Sequence, residues 1–445
     1  MTTPSASSAT WGRLTAFFAP LALQTATQGM THTIVAMVAS RGEGGIVNFA
    51  GLSQAYKVMF FLGSMGAGLM TTGLVFGKSR EEYRTFVRVC AAVIGSILGI
   101  HLLMNIPAAA HLLFGKIIGL PPAVEQPALV TFRAVIPLQV LFLMRTPFFS
   151  LLVVNRATGR AYFATLGRVI LTVLMALVCV RLGLVGVGWA VVCMSIPVAL
   201  ELTGLIFLAV PFLRKLPPFR GPVLPAPREI AGFSFMFSFS KVLIALSDWI
   251  LVAFIARAAQ PERMLSAYSV VGALAAPVAF AATRIQAVYV SFAESADTRS
   301  RQVLRRFTVA AGLILGSIPL LLILPGIIHV YYGILQKVSA TEMRLVVTAS
   351  LGFFPFPLLV ALRSAMEGRA AEMRRPATAL TGNAVYVAFA TITAFCALAL
   401  DMPGNLIGQT GLVVGNAFAA LTIYMLVGGR YMRAIRGSVD SLWFR

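Results

Sequence analysis

Charge is what this chain has least of. Only 11% of its 445 residues are Asp, Glu, Lys or Arg, where a soluble domain carries about 25%. Acidic residues are scarcest: 15 stand against 36 basic ones, for a net charge of +21. The four cysteines, Cys90, Cys179, Cys193 and Cys396, all fall in apolar runs without metal-type spacing, so neither a disulfide nor a metal site is expected. His32, His101, His111 and His329 do not cluster. There is no HExxH, no P-loop and no Cys/His ligand pattern, and the Gly66–Gly68 GxG lies inside an apolar run rather than after a strand. The serines have no accompanying His–Asp set. No catalytic residues, cofactor or nucleotide fold are therefore expected.

What is present is apolar: 58% hydrophobic residues and a mean hydropathy of +0.87. Such a chain reads as an all-α polytopic membrane protein. A span needs about 20 apolar residues. Twelve candidates run near 14–39, 48–76, 84–106, 127–154, 160–181, 183–212, 228–256, 264–292, 303–331, 341–368, 375–400 and 406–434. The polar N-terminus, Met1 to Arg13, is too short for a signal peptide.

The excess of Lys and Arg is not pooled in one domain or tail, which argues against a nucleic-acid partner; it sits between spans. One set of loops holds Lys78, Arg80, Arg84, Arg88, Arg156, Arg160, Arg214, Lys215, Arg220, Arg228, Arg299, Arg301, Arg305, Arg306, Arg369, Arg374 and Arg375, together with both termini. The opposite loops hold Arg41, Lys116, Arg181, Arg257, Arg263, Lys337 and Arg344. At roughly three to one, the first set is expected in the cytoplasm, with both termini, as in a multi-pass inner-membrane protein.

The proline-rich stretch Arg214–Arg228 is a poor span and a natural linker. It divides the chain into residues 1–213, a linker at 214–228, and residues 229–445, with six spans in each half. The halves resemble one another. Val35–Arg41 matches Val252–Arg257 at an offset of 217, and Pro137 and Arg145 recur as Pro355 and Arg363 at 218. Gly183–Gly188 is also similar to Gly411–Asn416. Two pseudo-symmetric six-helix lobes are expected, with a solute path between them.

Five bases lie inside apolar spans: Lys57, Arg145, Lys241, Arg284 and Arg363. A charge there costs at least about 2.5 kcal/mol and is by default functional. Several cations around one cavity make an anion site. Gln24, Gln28 and His32 share one face of the first span, and Lys241 and Asp248 share one face of the seventh. Spans 1, 2, 7 and 8 are expected to line a basic cleft. Each residue has a structural alternative. Gln24 and Gln28 can hydrogen-bond between helices. Lys57 and Arg284 can snorkel to an interface. Arg145 and Arg363 can pair within a lobe, where Glu367 is a ready partner for Arg363. Asp248 can neutralise Lys241 or, with His32 and Glu367, serve as a coupling group.

Three stretches resemble the progressive ankylosis family of membrane transporters. Phe60–Met65 followed by Gly73–Glu82 is similar to that family's FFTGPM and GLVF with a basic turn. Gln286–Phe292 is similar to its RAVYPAF, and Leu351–Gly368 to its FFPVP segment with a following Arg and Gly. The resemblance implies membership of the larger group that includes MATE exporters and lipid-linked oligosaccharide flippases. It implies twelve helices in a V around a central cavity, and efflux of small polyanions such as citrate, malate, nucleotides such as ATP, or pyrophosphate. The chain departs from the family at Lys57, Gln286 and Arg363. The expected partners are a small anionic solute and membrane lipids, with the chain as a monomer. The competing functions are a lipid-linked pyrophosphate precursor flippase, a MATE-like multidrug exporter, and a membrane-embedded enzyme or scaffold.

Overall fold

The computed structural model describes residues 9–43, 45–293, 298–335 and 342–443; Lys337 lies outside them. These residues form helices: α1 (Trp11–Ala39), α2 (Gly45–Ser64), α3 (Gly68–Phe76), α4 (Arg80–Met104), α5 (Pro107–His111), α6 (Pro122–Ala134), α7 (Ile136–Val154), α8 (Thr158–Arg181) and α9 (Val187–Arg214). After the linker come α10 (Pro227–Ile255), α11 (Pro261–Ala282), α12 (Ile285–Phe292), α13 (Thr298–Leu321), α14 (Met343–Phe353), α15 (Pro355–Glu372), α16 (Pro376–Ala399) and α17 (Gly404–Trp443). Among the described residues, ten helical stretches are long and apolar enough to cross a membrane, two of them built from consecutive helices, α2 with α3 and α14 with α15. A pair bent by 44°, Arg263–Gly272 with Ala275–Phe292, makes an eleventh. The remaining expected span is the 29-residue α1.

Several helices are inside out. α8 exposes Phe163, Ile170, Leu174 and Leu177 while burying Thr165, Arg168 and Thr172. α16 exposes Ile392 and Phe395 and buries Asn383 and Tyr386. In water this would waste the hydrophobic effect; in a bilayer it puts apolar side chains against lipid and polar ones inside the protein.

The duplication is written in the backbone. α8 and α16 begin at 158 and 376 and end at 181 and 399, each bound displaced by 218. Left-handed residues recur at the same displacement: Arg156 with Arg374, and Gly183 with Asp401. Short π-helical turns recur at Leu112–Ile117 and His329–Leu335. The second and eighth spans are both interrupted, between α2 and α3 and between α11 and α12. One sequence match is corrected by this register. Gly183 stands opposite Asp401, so its likeness to Gly411 is out of register.

The chain forms two compact units, Leu23–Phe239 and Met1–Ala22 with Ser240–Arg445. The opening turns of α1 and α10 thus each group with the other half of the sequence. In the second unit, Trp11 and Phe18 stack edge-on against Phe307, and Phe17 against Phe292. In the first, Phe233 on α10 meets Phe76 on α3. There the Gly68 amide donates to the Ser238 hydroxyl at 3.1 Å. A β-carbon on Gly68 would collide with the α10 backbone. Ser238 therefore packs α10 against α3.

The polar turn before α4 supplies its N-cap, Ser79. The Ser79 hydroxyl accepts from the Glu82 amide at 3.3 Å and donates to the Glu82 carboxylate at 2.9 Å. Glu81, beside it in the first turn, accepts from the Phe219 amide at 2.7 Å, and the Arg80 amide donates to the Pro217 carbonyl at 2.9 Å. The proline-rich linker is thereby tied to the start of α4.

Candidate functional site

Each unit encloses one buried carboxylate facing two cations. In the first unit the carboxylate is Glu201, on α9. Its Oε2 lies 2.6 Å from Arg145 Nη1 and 3.6 Å from Arg168 Nε. Its Oε1 accepts from the Thr165 hydroxyl at 2.5 Å, and that hydroxyl accepts from Gln24 Nε2 at 3.0 Å. Arg145 and Arg168 lie 5.1 and 6.0 Å from the centre of the Phe142 ring, a cation–π arrangement.

A cavity of about 260 Å³ opens onto this cluster. Its polar lining is Gln28, His32, Gln139, Arg145, Thr146 and Arg168. His32 meets the edges of Phe60 and Tyr56 at 4.9 and 5.4 Å. Three of the lining side chains hold unused hydrogen-bonding atoms: Arg168 Nε and Nη2, His32 Nδ1 and Gln139 Oε1 have no hydrogen-bond partner among the described residues. Arg168 is 3% exposed. Buried donors are rarely left unpaired in folded proteins, because each costs about 1–3 kcal/mol.

In the second unit the carboxylate is Glu367, on α15. Lys241 Nζ donates to its Oε2 at 2.5 Å, Asn383 Nδ2 donates to its Oε1 at 2.8 Å, and Arg363 Nε lies 3.8 Å from Oε1. Arg363 also sits 5.3 Å from the centre of the Tyr386 ring. The 217–218 register aligns these clusters. Gln24 corresponds to Lys241, Thr165 to Asn383, Arg145 to Arg363 and Arg168 to Tyr386. The second cation comes from α8 in one unit and from α10 in the other. The carboxylate comes from α9 in one and α15 in the other. Each cluster nevertheless holds two cations, one carboxylate and one neutral hydrogen-bonding residue.

The residues singled out from sequence divide as follows. Gln28, His32 and Arg145 line the cavity of the first unit, and Gln24 is buried behind it. Lys241, Arg363 and Glu367 form the cluster of the second unit. Arg145 pairs with Glu201 and Arg363 with Glu367, each within its unit. Asp248 does not neutralise Lys241. Glu367, from another helix, takes that place, and the exposed Asp248 lies in electrostatic range of Arg363, Tyr268 and Tyr386. Lys57 is exposed on α2. Arg284 is half-buried at the break between α11 and α12, where the first unit has the cavity-lining Ala67.

Glu201, Arg168, Thr165, Gln139 and Asn383 were missed. Glu201 and Arg168 carried the signal that found the others, a charge inside an apolar span.

No protein-family model matches the chain, and no curated protein matches it by sequence. Solved structures do match its fold. A MATE transporter in complex with MaL6 aligns with a TM-score of 0.75 at 14% identity, over 98% of this chain and 100% of that one. A point mutant of the Vibrio cholerae MATE transporter VcmN aligns with a TM-score of 0.73 at 14% identity, over 95% and 97%. A MOP superfamily transporter from Pyrococcus furiosus, described as having a binding pocket of reverse polarity that suggests a different function, aligns with a TM-score of 0.73 at 12% identity, over 97% and 98%. The chain has the fold of the MATE and MOP superfamily transporters.

Proposed function

We propose that this protein is an alternating-access exporter of small polyanionic solutes. Arg168 carries the reading. It is a buried guanidinium lining a cavity, with no hydrogen bond on Nε or Nη2 among the described residues, beside a second guanidinium and a single carboxylate. A guanidinium fork suits carboxylate and phosphate oxygens. A cavity for cationic drugs would need the opposite balance. The Pyrococcus furiosus neighbour supports the idea that this fold accommodates a reversed pocket. The three stretches similar to the progressive ankylosis family support citrate, malate, nucleotides or pyrophosphate as the solute class. Lys57 and Arg284 are proposed as further contacts along its path. The sequence holds no P-loop, and facilitated or ion-gradient-driven export is part of the proposal.

Solute flux into proteoliposomes tests the reading, with citrate, ATP, pyrophosphate and an organic cation compared side by side. One of the anions should move and the cation should not. Arg168→Gln should lower anion flux by roughly 100-fold, the scale of a lost charge-assisted contact at about 1.5–3 kcal/mol plus misplacement of Arg145. Arg168→Lys should recover only part of it, because it restores the charge without the fork. Transport of the organic cation in place of the anions would overturn the proposal in favour of multidrug export.

We also place both termini in the cytoplasm of an inner-membrane protein, from the loop charges. A single cysteine at Lys78 in an otherwise cysteine-free variant should resist an impermeant thiol reagent in intact cells and react in inverted vesicles. Labelling from outside would reverse the orientation.

A further inference from the structure

A second cavity, of about 150 Å³, lies elsewhere in the second unit. Its lining includes Arg301 and Arg305 on α13, Arg369 and Glu372 on α15, Tyr289 on α12 and Tyr424 on α17. Arg301 and Arg305 are one turn apart and so share a helix face. Arg369 follows Gly368, where a β-carbon would meet the Gln286 carbonyl at 2.6 Å. That close approach of α15 to α12 sets Arg369 near Tyr289, which lies in electrostatic range of both Arg305 and Arg369. Three guanidiniums and one carboxylate leave the lining with an excess of two positive charges.

The repeat shows which part of this lining is particular to the second unit. At a displacement of 218, Arg301, Arg305, Arg369 and Glu372 correspond to Tyr83, Val87, Leu151 and Val154. The general rule of basic loops on one membrane side would enrich both units equally. Both units carry bases at these helix starts, Arg80, Arg84 and Arg88 on α4 and Arg299, Arg301, Arg305 and Arg306 on α13; what the second unit adds is Arg369 on α15, where the first has Leu151, so that three guanidiniums line one cavity.

We propose that this cavity binds a phosphate-bearing anion at a site separate from the Arg145–Arg168 cavity. The chemistry fits: guanidinium forks take phosphate oxygens bidentately, and 150 Å³ accommodates a phosphate group. Two sources share that chemistry, an anionic phospholipid headgroup and a soluble phosphate compound. Basic pockets between membrane helices are general sites for lipid phosphates. The proposal does not rest on the transported solute, because no residue is shared with the first cavity.

The test is thermal unfolding of the full-length protein in neutral micelles. Phosphatidylglycerol or cardiolipin is titrated in one arm, and inorganic phosphate or pyrophosphate in another, with phosphatidylcholine as reference. The wild type is compared with R301Q/R305Q/R369Q and with the charge-matched K78Q/R84Q/R88Q, which lies outside the cavity. Both variants keep Arg168, so binding at the transport cavity is common to them. The expected result is stabilisation of the wild type and the control by a phosphate carrier, with an apparent affinity roughly 100-fold weaker in the cavity variant. The arm that responds identifies the source. If the triple variant does not fold, R305Q alone should weaken the response roughly fivefold. An equal response from the cavity variants and the control would overturn the proposal.

Discussion

Glu201→Ala should be the most destabilising single change in the first unit, costing about 3–5 kcal/mol. Two guanidiniums lie within 4 Å of this one carboxylate, and the side chain of Arg168 is only 1% exposed. Removing the carboxylate leaves both charges buried without a counter-charge, and Thr165 loses its acceptor. The loss should appear as a lower unfolding temperature and a smaller monodisperse fraction after detergent extraction. Two comparisons separate the ion cluster from simple loss of packing. Thr165→Val removes one hydrogen bond to the same carboxylate and should cost about 1 kcal/mol. Glu201→Ala combined with Arg168→Met should be more stable than Glu201→Ala alone, because it removes one of the stranded charges. If the double variant is the less stable of the two, the cluster is not governed by charge compensation.

The two units reach the same polarity by different routes, and that bears on what the polarity is for. If the buried charges were inherited packing, the repeat register would carry each one to its counterpart. Only Arg145 and Arg363 obey the register. The position of Arg168 is Tyr386 in the second unit, the position of Glu201 is Ala419, and that of Glu367 is Phe149. The excess of one positive charge in each cluster is nevertheless the same. Both clusters hold donors without a hydrogen bond among the described residues, Arg168 Nε and Nη2 in the first and Arg363 Nε and Nη1 in the second; Arg168 lines the cavity of about 260 Å³, whereas Lys241 and Asn383 donate to Glu367. The cavity beside Arg168 is the reason the proposed anion contact is assigned to the first unit.

Much of the architecture was legible in the sequence because bilayer thickness and apolar run length are directly coupled. The proline-rich linker and the repeat offset left local marks, whereas the break of the second span between α2 and α3 was not expected. The site was legible only in part. A buried base inside a span can be read from its neighbours, and that found Arg145, Lys241 and Arg363. The partner of each base cannot, because it lies on another helix: Glu201 is 56 residues from Arg145, and Glu367 is 126 from Lys241. Asp248, one helical face and seven residues from Lys241, was the natural local candidate. Helical periodicity could not show that α15 delivers a carboxylate closer to Lys241.

A double-mutant cycle between Lys241 and Glu367 should give a coupling energy of about 2–3 kcal/mol, near the top of the range for residues in one network. The Nζ–Oε2 separation is 2.5 Å, and Glu367 is fully buried. The parallel cycle between Lys241 and Asp248 should give a clearly smaller value, about 1 kcal/mol or less, because no ion pair joins the two and they are linked only through the field of Arg363. Lys241→Met alone leaves Glu367 with Asn383 and the more distant Arg363, so it should cost roughly 3–5 kcal/mol in unfolding free energy. Lys241→Met with Glu367→Gln should recover much of that, since neither charge is then stranded, although Arg363 keeps its own demand for a counter-ion. Transport offers a second reading of the same variants. If the pair only holds the unit together, the double variant should move anions once it is folded. If Lys241 exchanges Glu367 for solute during the cycle, the double variant should fold and fail to transport. A Lys241–Asp248 coupling as large as that of Lys241–Glu367 would show that the cluster is organised along α10 and not across to α15.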